Sequence, residues 1–266
     1  MTSHIHQTLR HTLRFRKIDV LRVQRLTPHM QRIVFGGSEL KGFTSASPDD
    51  HVKLFFPNAA GNIVQPVLGS NGPEYRPGRD YSPMRDYTPR HYDALSGELT
   101  VDFVLHGDGP ASLWAEQAAA GQVVGAGGPR GSFVIASDYN HYVLVGDETA
   151  LPAISRWLAE MPASASADVL VEIPDIHDRQ SLPTPTGVNI QWLSRHGAPA
   201  DTSDLLEQAL QDLPVHPGDT FYWIATESGR ARSMRIWLGE HRHVEKDDMK
   251  AKGYWKADNS VEDLAA

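Results

Sequence analysis

The sequence contains no cysteine, and this absence limits the redox chemistry that the chain can carry by itself. Without cysteine there are no disulfides, no thiolate metal sites and no cysteine-ligated iron–sulfur clusters. Any redox reaction of this protein therefore needs a borrowed cofactor.

Long apolar runs are also missing from the sequence. No stretch approaches the roughly 20 apolar residues that a membrane-spanning helix requires. The opening residues 1–17 contain no apolar segment of the kind found in secretory signals. We therefore expect a cytoplasmic protein without membrane insertion.

A long basic run is absent as well, and the formal net charge is −8. Residues 1–137 contain 14 Lys and Arg against 12 Asp and Glu, whereas residues 138–266 contain 11 against 21. This balance argues against nucleic acid as a partner, although it allows a local basic pocket for a small anion.

The order of sequence patterns predicts two domains, as does the length of 266 residues. Residues 1–137 show short β-branched and aromatic runs separated by turns, which predicts an antiparallel β-barrel. One amphipathic helix is expected within it, over residues 111–121. Residues 138–266 alternate strand and helix, which predicts an α/β domain with a parallel sheet.

The segment MRDYTPR, at residues 84–90, places a cation, an aromatic ring and a hydroxyl close together. On a strand, Arg85 and Tyr87 share one face and Thr88 the other. This arrangement suits a flavin dinucleotide. Arg85 would bind the pyrophosphate, Tyr87 would pack on the isoalloxazine, and Thr88 would donate a hydrogen bond near flavin N5. Tyr87 and Thr88 are thus the candidate catalytic residues. An ordinary half-buried strand with solvated arginines is the alternative.

The segment HGDGPASLWAEQA, at residues 106–118, joins a glycine turn to a helix start. Pro110 takes an early helical position, and the small residues Ala111 and Ser112 follow it. Free backbone N–H groups at such a start bind phosphate, and Ser112 adds a hydroxyl. The alternative is an ordinary capped helix.

A strand followed by a glycine turn and a helix, VLVGDETALPA at residues 143–153, marks the place where an open α/β sheet binds nucleotides. A dinucleotide here would contact Gly146, Thr149 and Ala150, although the G-x-G-x-x-G fingerprint is missing. Glu227 follows a later strand and is a further candidate contact at the same end of the sheet.

Histidines near the N-terminus suggest a metal cluster at first sight. A frayed, solvated terminus is the favoured interpretation for His4, His6 and His11. His241 and His243 are treated in the same way, so no metal site is predicted.

Five segments, in this order along the chain, resemble the siderophore-interacting, ferric-siderophore reductase family. They are RDYTPR, VDFVLHGDGPASLWA, GPRGS, GDETALPAI and GYWK, and the match runs from about Phe15 to Lys256. The sequence departs from the family pattern at ATES, residues 225–228, where AGE is more frequent, and at the final lysine of GYWK, where arginine is frequent.

The resemblance implies a ferredoxin-reductase-like fold, with an FAD-binding barrel followed by a nicotinamide-binding α/β domain. The FAD contacts it implies are Arg85, Tyr87, Thr88, Asp102, Val104, His106, Gly109, Ala111 and Ser112.

The implied activity is the transfer of electrons from NADH or NADPH, through FAD, to a ferric siderophore. A flavin can convert a two-electron donor into a one-electron reductant. The hard oxygen ligands of siderophores hold Fe(III) better than Fe(II), so reduction releases the iron. Lys53 and Lys256 are candidates for steering an anionic siderophore, and ordinary surface lysines are the alternative.

Several alternatives remain open from the sequence. The chain could be a general flavin reductase, an electron-transfer partner or a non-enzymatic siderophore-binding protein, and a ferredoxin-type protein could replace the nicotinamide as donor. After the second α/β strand, Glu172 favours a free ribose 2′-hydroxyl and Arg179 a 2′-phosphate, which leaves NADH and NADPH unranked.

Overall fold

The computed structural model describes residues 4–70 and 72–257, which form two compact units. One unit is His6–Ile135, and the other is built from Ala136 onward and includes His4 and Ile5. Residues 1–3, 71 and 258–266 of the two predicted domains lie outside the described residues, and the predicted boundary at residue 137 stays a prediction.

The first unit is a curved antiparallel sheet with one α-helix. Its main sheet has seven strands in the order β7-β4-β10-β2-β3-β9-β8, while β1 pairs with β11 and β5 with β6. The elements are β1 (Gln7–Arg10), β2 (Phe15–Thr27), β3 (Met30–Gly36), β4 (Val52–Phe55), β5 (Val67–Gly69), β6 (Gly72–Glu74), β7 (Met84–Tyr87), β8 (His91–Asp93), β9 (Glu98–Val104), α1 (Gly109–Glu116), β10 (Val123–Gly127) and β11 (Gly131–Val134).

Alternating burial explains why this sheet folds around a core. On β4, Val52 and Leu54 are fully buried while Lys53 between them is exposed. The edge strand β7 curls toward β9, because the ring of Tyr87 lies 4.3 Å from the ring of Phe103 between centroids. The predicted barrel is therefore confirmed in the form of a half-barrel.

The helix α1 packs at the place where β7 approaches β9. Its Trp114 lies 5.2 Å from Phe56 and 5.9 Å from Phe103, measured between ring centroids. It ends at Glu116, earlier than the predicted Gly121, because the Gly121 N–H bonds to the Val20 carbonyl on β2.

The interpretation of the first histidines as a frayed terminus is wrong. His4 stacks on Tyr139 at 3.8 Å and bonds to Asp138 at 2.7 Å. The ring of His11 lies 2.7 Å from the hydroxyl of Ser132. These contacts give the histidines structural roles, and within the described residues no group of three metal-ligating side chains could hold an ion.

The second unit is a five-stranded parallel sheet with helices. Its strand order is β14-β13-β12-β15-β16, so the carboxyl ends of all five strands lie at one edge, called here the carboxyl edge. The elements are β12 (His141–Gly146), α2 (Leu151–Glu160), β13 (Ser166–Ile173), β14 (Val188–Ser194), α3 (Leu205–Asp212), β15 (Thr220–Glu227), α4 (Ser228–His241) and β16 (Met249–Trp255). The predicted α/β architecture is confirmed.

Among the described residues, no helix has the length and apolar character needed to cross a bilayer.

Alternating glutamates and arginines tie the carboxyl edge together, and we call them the Glu–Arg ladder. Arg195 lies 2.6 Å from Glu148 and 3.1 Å from Glu172. Arg230 lies 2.8 Å from Glu172 and 2.7 Å from Glu207. Glu172, the central member, is completely buried. The ladder thus joins the turn after β12 to β13, the end of β14, α3 and α4.

Replacing Arg195 with methionine is expected to lower the free energy of unfolding by about 3–5 kcal/mol, because Glu148 and Glu172 would lose a buried partner. Urea unfolding of the purified protein measures the change. The matched control is Arg22→Met, since Arg22 forms an exposed pair with Glu98 and its loss is expected to change stability little. Equal losses for the two variants would contradict a stabilising ladder.

Candidate functional site

The strand β7 presents Arg85 and Tyr87 from one face, as predicted. Arg85 is exposed, and its Nη1 donates to the Met84 carbonyl at 2.8 Å. Tyr87 is half-buried against the core, and this burial raises the pKa of its phenol, although nearby Arg85 acts in the opposite direction. Thr88 follows and is 7% exposed. The strand therefore offers a cation and a neutral phenol beside a largely buried hydroxyl.

The start of α1 lies at the end of β9 and offers backbone donors. Gly107 and Gly109 have φ values of 75° and 74°, and a Cβ on Gly107 would meet no atom within 4 Å. Asp108 caps the helix by accepting from Gly109 N at 2.6 Å. Pro110 has no N–H, so the Ala111 N–H is the remaining donor of the first three helical positions.

The side chains around the start of α1 differ in their exposure and in their hydrogen-bond partners, and therefore in whether they are available to a ligand. The Ser112 hydroxyl accepts from His106 N at 3.0 Å, which fixes the turn, and the His106 side chain is exposed. Asp102 is buried, and Arg32 donates to both of its carboxylate oxygens at 2.7 and 2.8 Å. The side chain of Asp102 therefore serves Arg32, and Val104, two residues further along β9, is half-buried.

The donor groups of these residues suit the binding of an FAD molecule. The guanidinium of Arg85 and the Ala111 N–H suit a pyrophosphate, and the open backbone at Gly107 leaves room for its close approach. The half-buried ring of Tyr87 suits a flat aromatic system. The carboxylate of Asp108 is the one mismatch, because it adds negative charge at the helix start.

Lys53 lies on β4 opposite Asp86 of β7, with its Nζ 2.9 Å and 3.1 Å from the two carboxylate oxygens. Both side chains are about half exposed, at 46% and 48%. Lys256 follows the end of β16 in the second unit and is exposed.

The turn after β12 brings the predicted dinucleotide contacts together at the carboxyl edge. A Cβ on Gly146 would lie 2.4 Å from the Ala150 Cβ and 2.9 Å from the Ala225 carbonyl, so this position needs glycine. Ala150 is fully buried, and its N–H bonds to the Asp147 carbonyl at 3.0 Å. Thr149 lies at the turn and is half-buried.

Two helices start at this edge, and they differ in their caps. Within the described part of the chain, α2 begins at Leu151 without a side-chain cap, and because Pro152 has no N–H, the donors of its first three positions are the N–H groups of the buried residues Leu151 and Ala153. The helix α4 is capped by Glu227, whose Oε2 accepts from Gly229 N at 2.6 Å and from Arg230 N at 3.0 Å. Glu227 thus lies at the predicted edge, but its carboxylate accepts hydrogen bonds from the first turn of α4.

Glu172 cannot take the ribose role expected of it. It is fully buried, and both carboxylate oxygens accept hydrogen bonds from Arg230 or Arg195, with a further one from Ser203 at 3.0 Å. Arg179, in the segment after β13, is exposed. Beside the turn, burial raises the pKa of Glu148, and hydrogen bonding to Arg195 opposes that rise.

Sequence reasoning missed the residue that joins the strand ends, Asp147. This carboxylate is fully buried and accepts from Thr149 N at 2.9 Å and from the Thr149 hydroxyl. It also accepts from Thr226 Oγ1 at 2.7 Å and from Trp255 Nε1 at 2.7 Å. We call these four residues the Asp147 cluster. Its members lie in the segments GDETALPAI, ATES and GYWK. The sequence signal for the cluster was therefore the occurrence of these three segments in one chain.

Comparisons with known proteins match a different family model to each half of the chain. Residues 19–133 match the model of the siderophore-interacting FAD-binding domain, and residues 139–258 match that of the siderophore-interacting protein. The NADPH-dependent ferric-chelate reductase of Escherichia coli is 36% identical over 96% of this chain and 98% of its own length. The ferric vibriobactin reductase of Vibrio cholerae is 33% identical over 93% and 91%.

Solved structures give the same result for the fold. A siderophore utilization protein from T. fusca superposes with a TM-score of 0.91 at 38% identity, covering 96% of this chain and 98% of that one. A ferredoxin NADP+ reductase from Neisseria gonorrhoeae, with bound FAD and NADP, has a TM-score of 0.59 at 14% identity, covering 91% and 99%. The second likeness concerns the fold alone.

The comparisons confirm the predictions of fold, of an FAD cofactor and of a siderophore-related reductase. The individual site residues stay predictions. The chain belongs to the siderophore-interacting protein family.

Proposed function

We propose that this protein is a cytoplasmic reductase that passes electrons from NADPH, through bound FAD, to ferric siderophores and thereby releases Fe(II). The observation that carries the proposal is that the segment with Arg85, Tyr87 and Thr88 and the start of α1 belong to the same unit, the one that matches an FAD-binding domain. The names of the reductases from Escherichia coli and Vibrio cholerae support the ferric substrate.

Bound FAD supplies the conversion between a two-electron donor and a one-electron acceptor. In this assignment, Arg85 and the Ala111 N–H bind the pyrophosphate, with Gly109, Ser112 and the turn at His106 shaping the backbone around it. Tyr87 remains a neutral phenol near pH 7, since burial raises its pKa, and packs against the isoalloxazine ring. Thr88 donates a hydrogen bond to the polar edge of that ring. Asp102 acts by holding Arg32, and Val104 packs beside the ring.

The nicotinamide dinucleotide is assigned to the carboxyl edge of the second unit. There the uncapped start of α2 offers backbone donors to its pyrophosphate, next to Gly146, Thr149 and Ala150. Glu227 shapes the neighbouring start of α4. Docking of a ferredoxin-type donor is the competing source of electrons.

Anaerobic absorbance spectra of the FAD-loaded protein test the main proposal. NADPH is expected to bleach the flavin bands, and a ferric siderophore is expected to restore them while a ferrous chelator reports Fe(II). Thr88→Ala should slow the bleaching about tenfold, the effect of one lost hydrogen bond of about 1.4 kcal/mol, and Thr88→Ser should retain most of the rate.

Failure to take up FAD would contradict the proposal as a whole. Bleaching by dithionite or a reduced ferredoxin but by neither nicotinamide would replace NADPH with a protein donor. Reduction of free flavin in preference to any ferric siderophore would identify a general flavin reductase.

The choice of NADPH over NADH rests on the end of β13 and the segment that follows it. Glu172 is sequestered in the Glu–Arg ladder, so it offers no acceptor to a free ribose 2′-hydroxyl, whereas Arg179 is exposed for a 2′-phosphate. Arg179→Ala is therefore expected to lower kcat/KM for NADPH about tenfold, the effect of losing a charge-assisted contact, and to leave NADH nearly unchanged. Arg232→Ala, an exposed arginine on α4, is the matched control. Equal losses with both coenzymes would refute the assignment.

Lys53 and Lys256 are proposed to attract anionic ferric siderophores. Charge reversal by Lys53→Glu or Lys256→Glu should raise KM for an anionic siderophore roughly tenfold at low salt, and should leave a neutral one little affected. Lys41→Glu, at an exposed position on another part of the first unit, serves as the control. A similar loss for anionic and neutral substrates would show that the lysines act on folding or on FAD instead.

A further inference from the structure

Asp147 is unusual because its buried charge is met by neutral donors. The side chain is fully buried, and its contacts are the N–H and hydroxyl of Thr149, the hydroxyl of Thr226 and the indole N–H of Trp255. A buried carboxylate is costly unless its lone pairs are satisfied. By contrast, the neighbouring Glu148 is paired with the guanidinium of Arg195. An apolar residue could fill the space of Asp147 but could not bind these donors.

The chemistry of the four donors requires a carboxylate at this position. One oxygen accepts from Thr149, and the other from Thr226 and Trp255. A backbone N–H and an indole N–H can only donate, so each must face an acceptor. An asparagine would direct its NH₂ group at one of them and leave that donor unsatisfied. A carboxylate is therefore the group that can accept hydrogen bonds from the donors on both sides at once.

The Asp147 cluster joins three segments that carry proposed ligand contacts. Thr149 belongs to the turn before α2, Thr226 precedes Glu227 at the end of β15, and Trp255 precedes Lys256 at the end of β16. The register supports the connection, because β15 pairs with both β12 and β16. The position of the turn is thus tied to the ends of two other strands through a single side chain.

We propose that Asp147 is a positioning residue for the nicotinamide dinucleotide, acting through the turn at Thr149 and through the strand ends at Thr226 and Trp255. This inference rests on the proposed use of a nicotinamide donor. In this role, Asp147 keeps the N–H groups at the start of α2 in place for the pyrophosphate, and touches neither the substrate nor the reacting atoms.

The decisive variant is Asp147→Asn, and Asp168→Asn, on β13 at the opposite edge of the same sheet, is its matched control. The first readout is the Trp255 indole N–H resonance of the FAD-free protein, identified by its loss in Trp255→Phe. In Asp147→Asn this resonance is expected to move upfield and to exchange faster with solvent. The second readout is calorimetric binding of NADPH, whose Kd is expected to rise at least about tenfold, the effect of losing hydrogen bonds to a charged group. Asp168→Asn should change neither.

The half-reactions separate this role from a general loss of structure. Uptake of FAD should match the wild type in Asp147→Asn, and so should oxidation of dithionite-reduced FAD by a neutral ferric siderophore, which does not depend on attraction by Lys256. Reduction by NADPH should slow. A shifted Trp255 resonance with unchanged NADPH affinity would overturn the proposal, as would equal damage to both half-reactions. Wild-type protein that no nicotinamide binds or reduces would refute the proposed function itself, which is a different result.

Two less disruptive variants of Thr226 test the proposal if Asp147→Asn does not fold. Thr226→Val removes one donor while keeping a similar volume, and Thr226→Ser retains the hydroxyl. NADPH Kd should rise severalfold in the valine variant and return close to the wild-type value in the serine variant. Identical affinities for valine and serine would contradict the role of the cluster.

Discussion

The carboxyl edge of the parallel sheet depends on the neutralisation of buried carboxylates. Asp147 and Glu172 are fully buried there, and Glu148 lies between them with its side chain 13% exposed. Each would repel the phosphates of a dinucleotide if its charge were left uncompensated. Two are matched by guanidinium groups of the Glu–Arg ladder, and the third by the oriented donors of the Asp147 cluster. Because of these contacts, the acidic residues of this edge are compatible with the proposed binding of a dinucleotide.

The caps of the helices determine where such an anion can bind. Glu227 occupies the start of α4, so that helix has already used its donors on its own chain. The start of α2 has no such side-chain cap in the described chain, and its turn is fixed from behind by Asp147. In the first unit, Asp108 caps α1 in part, and Arg85 on β7 is exposed. In the proposed function, the two units therefore bind anions by different means.

Local patterns in the sequence were sufficient for the architecture and for the placement of Arg85 and Tyr87 on one face of a strand. Alternation on strands such as β4, and the change to strand–helix alternation, predicted both sheets. The segment MRDYTPR predicted the shared face of Arg85 and Tyr87, since two residues on one strand need no tertiary information. The curl of the sheet was not predictable in this way, because the contact of Tyr87 with Phe103 joins strands that are not neighbours in the sheet.

Interactions between distant residues explain what sequence reasoning could not supply. Asp147 meets Thr226 and Trp255 across 79 and 108 residues, and Glu172 meets Arg230 across 58. No periodicity connects such positions, so Glu172 looked available for a ribose although its lone pairs were already engaged. The threonine of ATES departs from the more frequent AGE, and a threonine has less backbone freedom than a glycine at the same position. In the folded chain its hydroxyl donates to Asp147, so the same substitution adds a hydrogen bond where a glycine would have left the carboxylate with one donor fewer.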